Sequence, residues 1–142
     1  MPIKPENRSR YPKDWPAISL ATKERAGWKC QHDGCTARQY AVGVWEGAFF
    51  FELARKDNYG EARQWAAEES FTRHGDGPAP VDEKIIVIVL TVAHLNHQPE
   101  DCRPENLAAM CQRHHLTYDA EHHAQTAYRT RKVAANTLDL FE

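Results

Sequence analysis

The sequence predicts a small α+β domain closed by a structural metal ion, and three observations lead there. The chain has 142 residues of which 42% are hydrophobic, enough for one domain with a modest core. Strand-like runs at 39–53 and 84–95 are interspersed with helix-like segments at 18–27, 60–73 and 112–135. Two short-spaced ligand pairs, Cys30-x4-Cys35 and Cys111-x2-His114, lie near opposite ends of this arrangement. A metal held between them would tie together a chain too short and loop-rich to rely on its core alone.

Taken in order, residues 1–16 contain four prolines and predict an extended arm. ISLATKERAG (18–27) reads as a short helix stopped by Gly27 in a left-handed cap. It delivers the chain to CQHDGC (30–35), a tight knuckle. QYAVGVWEGAFFFEL (39–53) is β-branched and aromatic around Glu46-Gly47, the pattern of a hairpin, and Trp45, Phe49, Phe50 and Phe51 are expected in its core. GEARQWAAEESFTR (60–73) places Ala62, Trp65, Ala66 and Phe71 broadly on one helical side. KIIVIVLTVAHL (84–95) is the strongest strand, followed by a polar loop at 96–105 and by NLAAMC, which leads into a final helix from about Gln112 to Ala135. The expected organisation is an arm at 1–16 and one domain at 17–142, with an insertion at about 36–82.

Charge is unevenly distributed although the net is only −2. Residues 1–31 carry seven Lys/Arg against three acids, whereas 32–80 and 81–142 are each net −3. A basic arm on a more acidic body suits an arm that meets phosphate and a body that holds cations. No apolar run approaches the ~20 residues of a membrane span, and the N-terminus has no apolar signal core. The expected setting is intracellular and cytoplasmic, where cysteines bind metal more readily than they form disulfides.

Zinc favours four nitrogen and sulfur ligands from two chain segments, so Cys30, Cys35, Cys111 and His114 are the expected structural set. Cys102, beside Asp101 in the polar loop, is read as a bystander and as the substitute should His114 not bind. His32 and His74 carry no assigned role. A second group remains, comprising His94, His97, Asn106, His115, Asp119, His122 and His123, of which His123 is read as solvent-facing. On a helix, His115 and Asp119 share one face a turn apart, a spacing that suits one divalent cation, with His122 on the same face. Adjacent His114 and His115 point about 100° apart, so they can serve two different metals.

The order His94, Asn106, His115, with the Cys111-x2-His114 pair immediately before the last histidine, resembles the HNH endonucleases. So does the knuckle that follows Arg25-Ala26-Gly27. The resemblance covers about residues 17–35 and 84–123. It implies a ββα-metal unit of two short strands and a helix. It also implies hydrolysis of phosphodiester bonds in DNA, with His94 as general base and Asn106 tying the loop that orients it; RNA is not excluded. His115 and Asp119 would hold Mg2+, Mn2+, Ni2+ or Zn2+, joined by His97 or His122. Such enzymes occur in phages and mobile elements, and no obligate protein partner is evident. Arg8, Arg10, Lys13, Arg129, Arg131 and Lys132 are the expected backbone contacts. One position departs from the pattern. Many HNH enzymes place a metal-binding Asp or His just before the base, and this chain has Ala93. The departure favours an alternative, a zinc-stapled DNA-binding or adaptor module with little or no activity. A further alternative is a zinc protein that binds other proteins through the WEGAFFF hairpin.

Overall fold

The computed structural model describes residues 3–134. Helix α1 (Trp15–Arg25), the hairpin β1 (Ala41–Glu46) and β2 (Phe49–Arg55), and helix α2 (Tyr59–His74) come first. Strands β3 (Ile86–Val87), β4 (Leu90–His94) and β5 (Leu107–Cys111) follow, and then helix α3 (Gln112–Ala134). The strands form two small antiparallel sheets, one ordered β2-β1-β3 and the other β4-β5. The fold is mixed α+β, as the composition of its segments predicts.

Local chemistry explains the element boundaries. Asn58 caps α2 by accepting the Glu61 N–H at 2.9 Å, and Gly75, at φ 71°, ends it in a conformation that favours glycine. In the hairpin the register shifts between Val42 and Gly43, a bulge at a point of close backbone approach. A Cβ on Gly43 would fall 1.8 Å from the Phe51 carbonyl oxygen, and backbone cannot move aside cheaply. Gly43→Ala is therefore expected to cost about 2–3 kcal/mol, read as a lowered thermal midpoint. Gly77→Ala, where the added carbon meets nothing within 4 Å, should leave the midpoint nearly unchanged.

The run 84–95 is not one strand. It is divided between the two sheets, with β3 on β1 and β4 on β5. At the crossing, side-chain amides take over from ladder bonds. Val89 N–H donates to Gln112 Oε1 at 3.1 Å and Leu90 N–H to Gln39 Oε1 at 2.7 Å, while Gln112 Nε2 donates to the Val87 carbonyl at 2.7 Å. A buried chain can leave a sheet only if such partners satisfy its backbone. Ile88 and Leu90, both fully buried, anchor the crossing in a core shared with Ala37, Ala41, Phe50, Ala93, Met110 and the cysteines 30, 35 and 111.

Two other expectations are corrected. The arm is not extended throughout, because Pro5–Arg10 form a 3-10 helix, and α1 begins at Trp15, before the expected residue 18. Of the four hairpin aromatics only Phe50 is buried and Trp45 half-buried, while Phe49 and Phe51 are 68% and 54% exposed. Strand alternation puts Phe49 and Phe51 on the face opposite Phe50. The cover that α2 gives the sheet centres on Val42, Ala62 and Ala66, at the other end of β1.

Candidate functional site

The knuckle that follows α1 folds back on β5. Gln31 N–H donates to the Ala109 carbonyl, and Ala109 N–H donates to Gln31 Oε1, both at 2.8 Å. The turn tightens through Cys35 N–H to the His32 carbonyl at 3.0 Å, with Gly34 at φ 77°. Cys30 and Cys35 thus meet Cys111 at the end of β5 and His114 in the first turn of α3. The ligand atoms of these four residues all lie within 4.8 Å of one another. A tetrahedral zinc with metal–sulfur bonds of about 2.3 Å needs neighbouring ligand atoms about 3.5–3.8 Å apart. Cys30 Sγ is 3.7 Å and Cys111 Sγ 3.2 Å from His114 Nδ1, so the set fits a structural metal ion such as zinc.

The surroundings suit bound thiolates. The Ala37 N–H points at Cys35 Sγ from 3.5 Å, the outer-shell donation that steadies a ligating sulfur. The three thiols press on one another. Cys30 is held down to about 4, chiefly by a hydrogen bond from Cys111, while that same bond and burial push Cys111 up. Burial also raises Cys35. His32, which the sequence left without a role, stacks on the His114 ring with centroids 3.9 Å apart, and Trp45 meets it edge-on at 5.8 Å. Cys102 is not part of this cluster; its loop carries it to His94 instead.

His94 is the last residue of β4, opposite Leu107, and is 8% exposed. Trp15 stacks on its ring at 4.9 Å and Tyr11 meets it edge-on at 5.7 Å, so the arm and α1 pack against the imidazole. Burial, and to a smaller extent His115, lower its pKa below the ordinary histidine value, and the acids Asp101, Glu100 and Asp119 pull the other way. Asn106 is buried with its amide fully engaged. Its Oδ1 accepts the Asn96 N–H at 3.1 Å, and its Nδ2 donates to Asn96 Oδ1 at 2.9 Å and to the Asp101 carbonyl at 2.7 Å. These bonds close the loop from 96 to 106 directly after His94. Asp101, held down to about 2 by Arg103, accepts from Asn96 in the same loop.

His114 and His115 diverge into two separate groups of side chains. The Thr91 hydroxyl donates to the Met110 carbonyl at 3.3 Å and also meets His115 Nδ1. A hydroxyl has one hydrogen, so with that hydrogen on the Met110 carbonyl the His115 Nδ1 is the donor to Thr91. His115 Nε2 stands 3.0 Å from Asp119 Oδ2. An imidazolium proton on Nε2 or a metal cation shared by the two atoms would each suit that distance. Asp119 Oδ1 is also 3.3 Å from His97 Nδ1, and the His97 ring lies parallel to His122 at 4.4 Å. His97 adopts φ 58°, an uncommon conformation for a histidine, and Tyr118 stacks on it at 5.4 Å while donating to the Leu95 carbonyl.

A cleft of about 900 Å³ opens beside this group. His115, Asp119 and His122 form one wall, Tyr11 and Trp15 another, and Lys4, Arg10 and Lys23 supply positive charge. Of the expected phosphate contacts, Arg10 donates to Glu100 and Gln98, while Arg8, Lys13 and Arg131 are exposed. The side chains of His123, Arg129 and Lys132 lie outside the described residues. Thr91, Cys102, Tyr11, Trp15 and Lys23 escaped the sequence reading because their partners are distant in the chain. Ala93 is buried at 1% and offers no donor. Among the described residues, no helix is long and apolar enough to cross a membrane. Comparison with protein-family models, with curated proteins and with solved structures returned no match.

Proposed function

We propose that this chain is an HNH-type endonuclease that hydrolyses phosphodiester bonds in DNA. The supporting observation is the passage from β4 through the Asn106-closed loop into β5 and α3. The His115–Asp119 pair lines a cleft that also carries Lys4, Arg10 and Lys23, and His94 packs directly behind Tyr11 and Trp15, which line the same cleft, separate from the cysteine cluster. On this reading β4, β5 and α3 are the ββα unit. His115 Nε2 and Asp119 Oδ2, 3.0 Å apart, suit a divalent cation, with His97 Nδ1, 3.3 Å from the other carboxylate oxygen, as a further ligand. Bound there, the cation would offset negative charge growing on the phosphate and on the leaving oxygen.

The chain's own residues perform the rest. His94 takes a proton from the water that attacks phosphorus in line, and Asn106 keeps the loop around the base rigid. Lys4, Arg10 and Lys23 hold the backbone phosphates in the cleft. Arg10 exchanges Glu100 for phosphate as it does so.

Incubation of supercoiled plasmid with zinc-loaded protein and added Mg2+, Mn2+ or Ni2+ tests the proposal. Cation-dependent conversion to nicked or linear DNA is expected. A second reading rests on the donor-free Ala93, an inactive module that binds DNA without cutting it. Gel-shift retention with no conversion under any of the three cations selects that reading. Where cleavage occurs, His94 must be neutral to act, and its lowered pKa keeps it so. The acidic limb of the pH–rate profile is therefore expected to have its midpoint below 6.5 and to be flat above pH 7.

A further inference from the structure

Cys102 lies in the loop between β4 and β5, half-buried, with its sulfur 3.6 Å from His94 Nε2. The same thiol donates to the Pro99 carbonyl at 3.3 Å. A thiol carries one hydrogen and a carbonyl oxygen can only accept. With that hydrogen committed to Pro99, the sulfur can meet Nε2 only as an acceptor. Nε2 then carries the imidazole proton and Nδ1 carries the lone pair.

Nδ1 has no hydrogen bond to any described residue. Since no buried polar side-chain atom among those residues lacks a partner, Nδ1 keeps contact with solvent. Trp15 stacked on the ring face hinders the half-turn about Cβ–Cγ that would put ring carbons where the two nitrogens stand. Cys102 and Trp15 together therefore fix both the tautomer and the orientation of this ring.

We propose that Cys102 is a positioning residue for His94, selecting the Nε2–H tautomer so that Nδ1 is the atom that accepts a proton. The proposal rests on the nuclease reading for its kinetic consequence, but the tautomer can be observed without it. No covalent or redox step is involved. The sulfur acts as a weak acceptor in a confined space, and the Asn106 hydrogen bonds that close the loop hold it in place.

The test compares wild type with Cys102→Ala and Cys102→Ser in the zinc-loaded full chain. Two readouts are taken, the 15N imidazole shifts of His94 at neutral pH and the plasmid-nicking rate. Wild type is expected to show Nε2 protonated and Nδ1 bare. Cys102→Ala should show a mixture of tautomers and about tenfold slower nicking, with substrate affinity unchanged. Cys102→Ser, whose hydroxyl can repeat both contacts, should restore the single tautomer and most of the rate. A wild-type ring protonated on Nδ1 overturns the proposal, as does a Cys102→Ala ring with an unchanged tautomer. The expected tautomers without nicking in any variant would instead remove the nuclease reading and leave Cys102 as the residue that sets the ring. A wild type that nicks, with Cys102→Ala equally fast, removes the kinetic role alone.

Discussion

Cys111→Ala is expected to cost this protein its bound metal and most of its stability. Cys111 is fully buried at the end of β5, where the knuckle, the second sheet and α3 converge. Its loss leaves Cys30, Cys35 and His114 as three ligands without the fourth corner of the tetrahedron. Structural zinc contributes about 10–16 kcal/mol of apparent binding free energy in small zinc-dependent domains, as much as the whole net stability of a typical domain. Losing even about 3 kcal/mol of that should lower the thermal midpoint by roughly 10 °C in a chain of this size. Metal analysis of purified protein is expected to find about one zinc per chain in wild type and little in the variant, with calorimetry reporting the drop. Cys102→Ala is the internal control, since its sulfur sits at His94, and its zinc content should match wild type. A Cys111→Ala protein with full zinc and an unshifted midpoint would remove the clamp.

What could be read directly from the sequence was whatever depends on near neighbours in the chain. The Gly27 stop of α1, with φ 67°, and the Cys30-x4-Cys35 knuckle each show in a few consecutive residues. Pairing that knuckle with Cys111 and His114 needed only zinc's demand for four ligands, and the four residues converge in space. The failures share the opposite character. The run 84–95 looks like one strand because its apolar pattern is continuous, although β3 is only half-buried and β4 largely buried. What divides it is the reach of Gln39 and Gln112, which lie 51 and 23 positions away from the amides they satisfy. Phe49 and Phe51 look like core residues by type, yet α2 covers only the far end of their sheet. The arm looks free because its charges and prolines are polar-surface features. Nothing local announces that Tyr11 and Trp15 pack on a histidine some 80 positions along the chain. Cys102 passed for a spare ligand because its contact with His94 exists only once Asn106 has closed the loop.

His94→Ala should abolish cleavage while zinc content and cation binding survive, which makes it the sharpest measurement on the proposed chemistry. Removing a general base typically costs 10²–10⁴ in rate. A buried base, with its ring pinned between Trp15 and Cys102, belongs toward the upper part of that range, about 10³-fold. The substitution leaves a space beneath Trp15 and costs some stability, but it touches neither the cysteine cluster nor the His115–Asp119 pair, so the folded fraction at 25 °C should stay high. Asp119→Ala is the necessary counterpart. It removes the carboxylate that both His115 and His97 face, and it should raise the Mn2+ concentration needed for half-maximal rate, whereas His94→Ala lowers the rate at saturating Mn2+ without moving that midpoint. If the base and the cation act in one transition state, the double variant should be scarcely slower than the worse single one, because groups that work as a unit are not additive. Multiplicative losses would mean that the two act in separate events, and an unchanged rate in His94→Ala would place the proton transfer on another group.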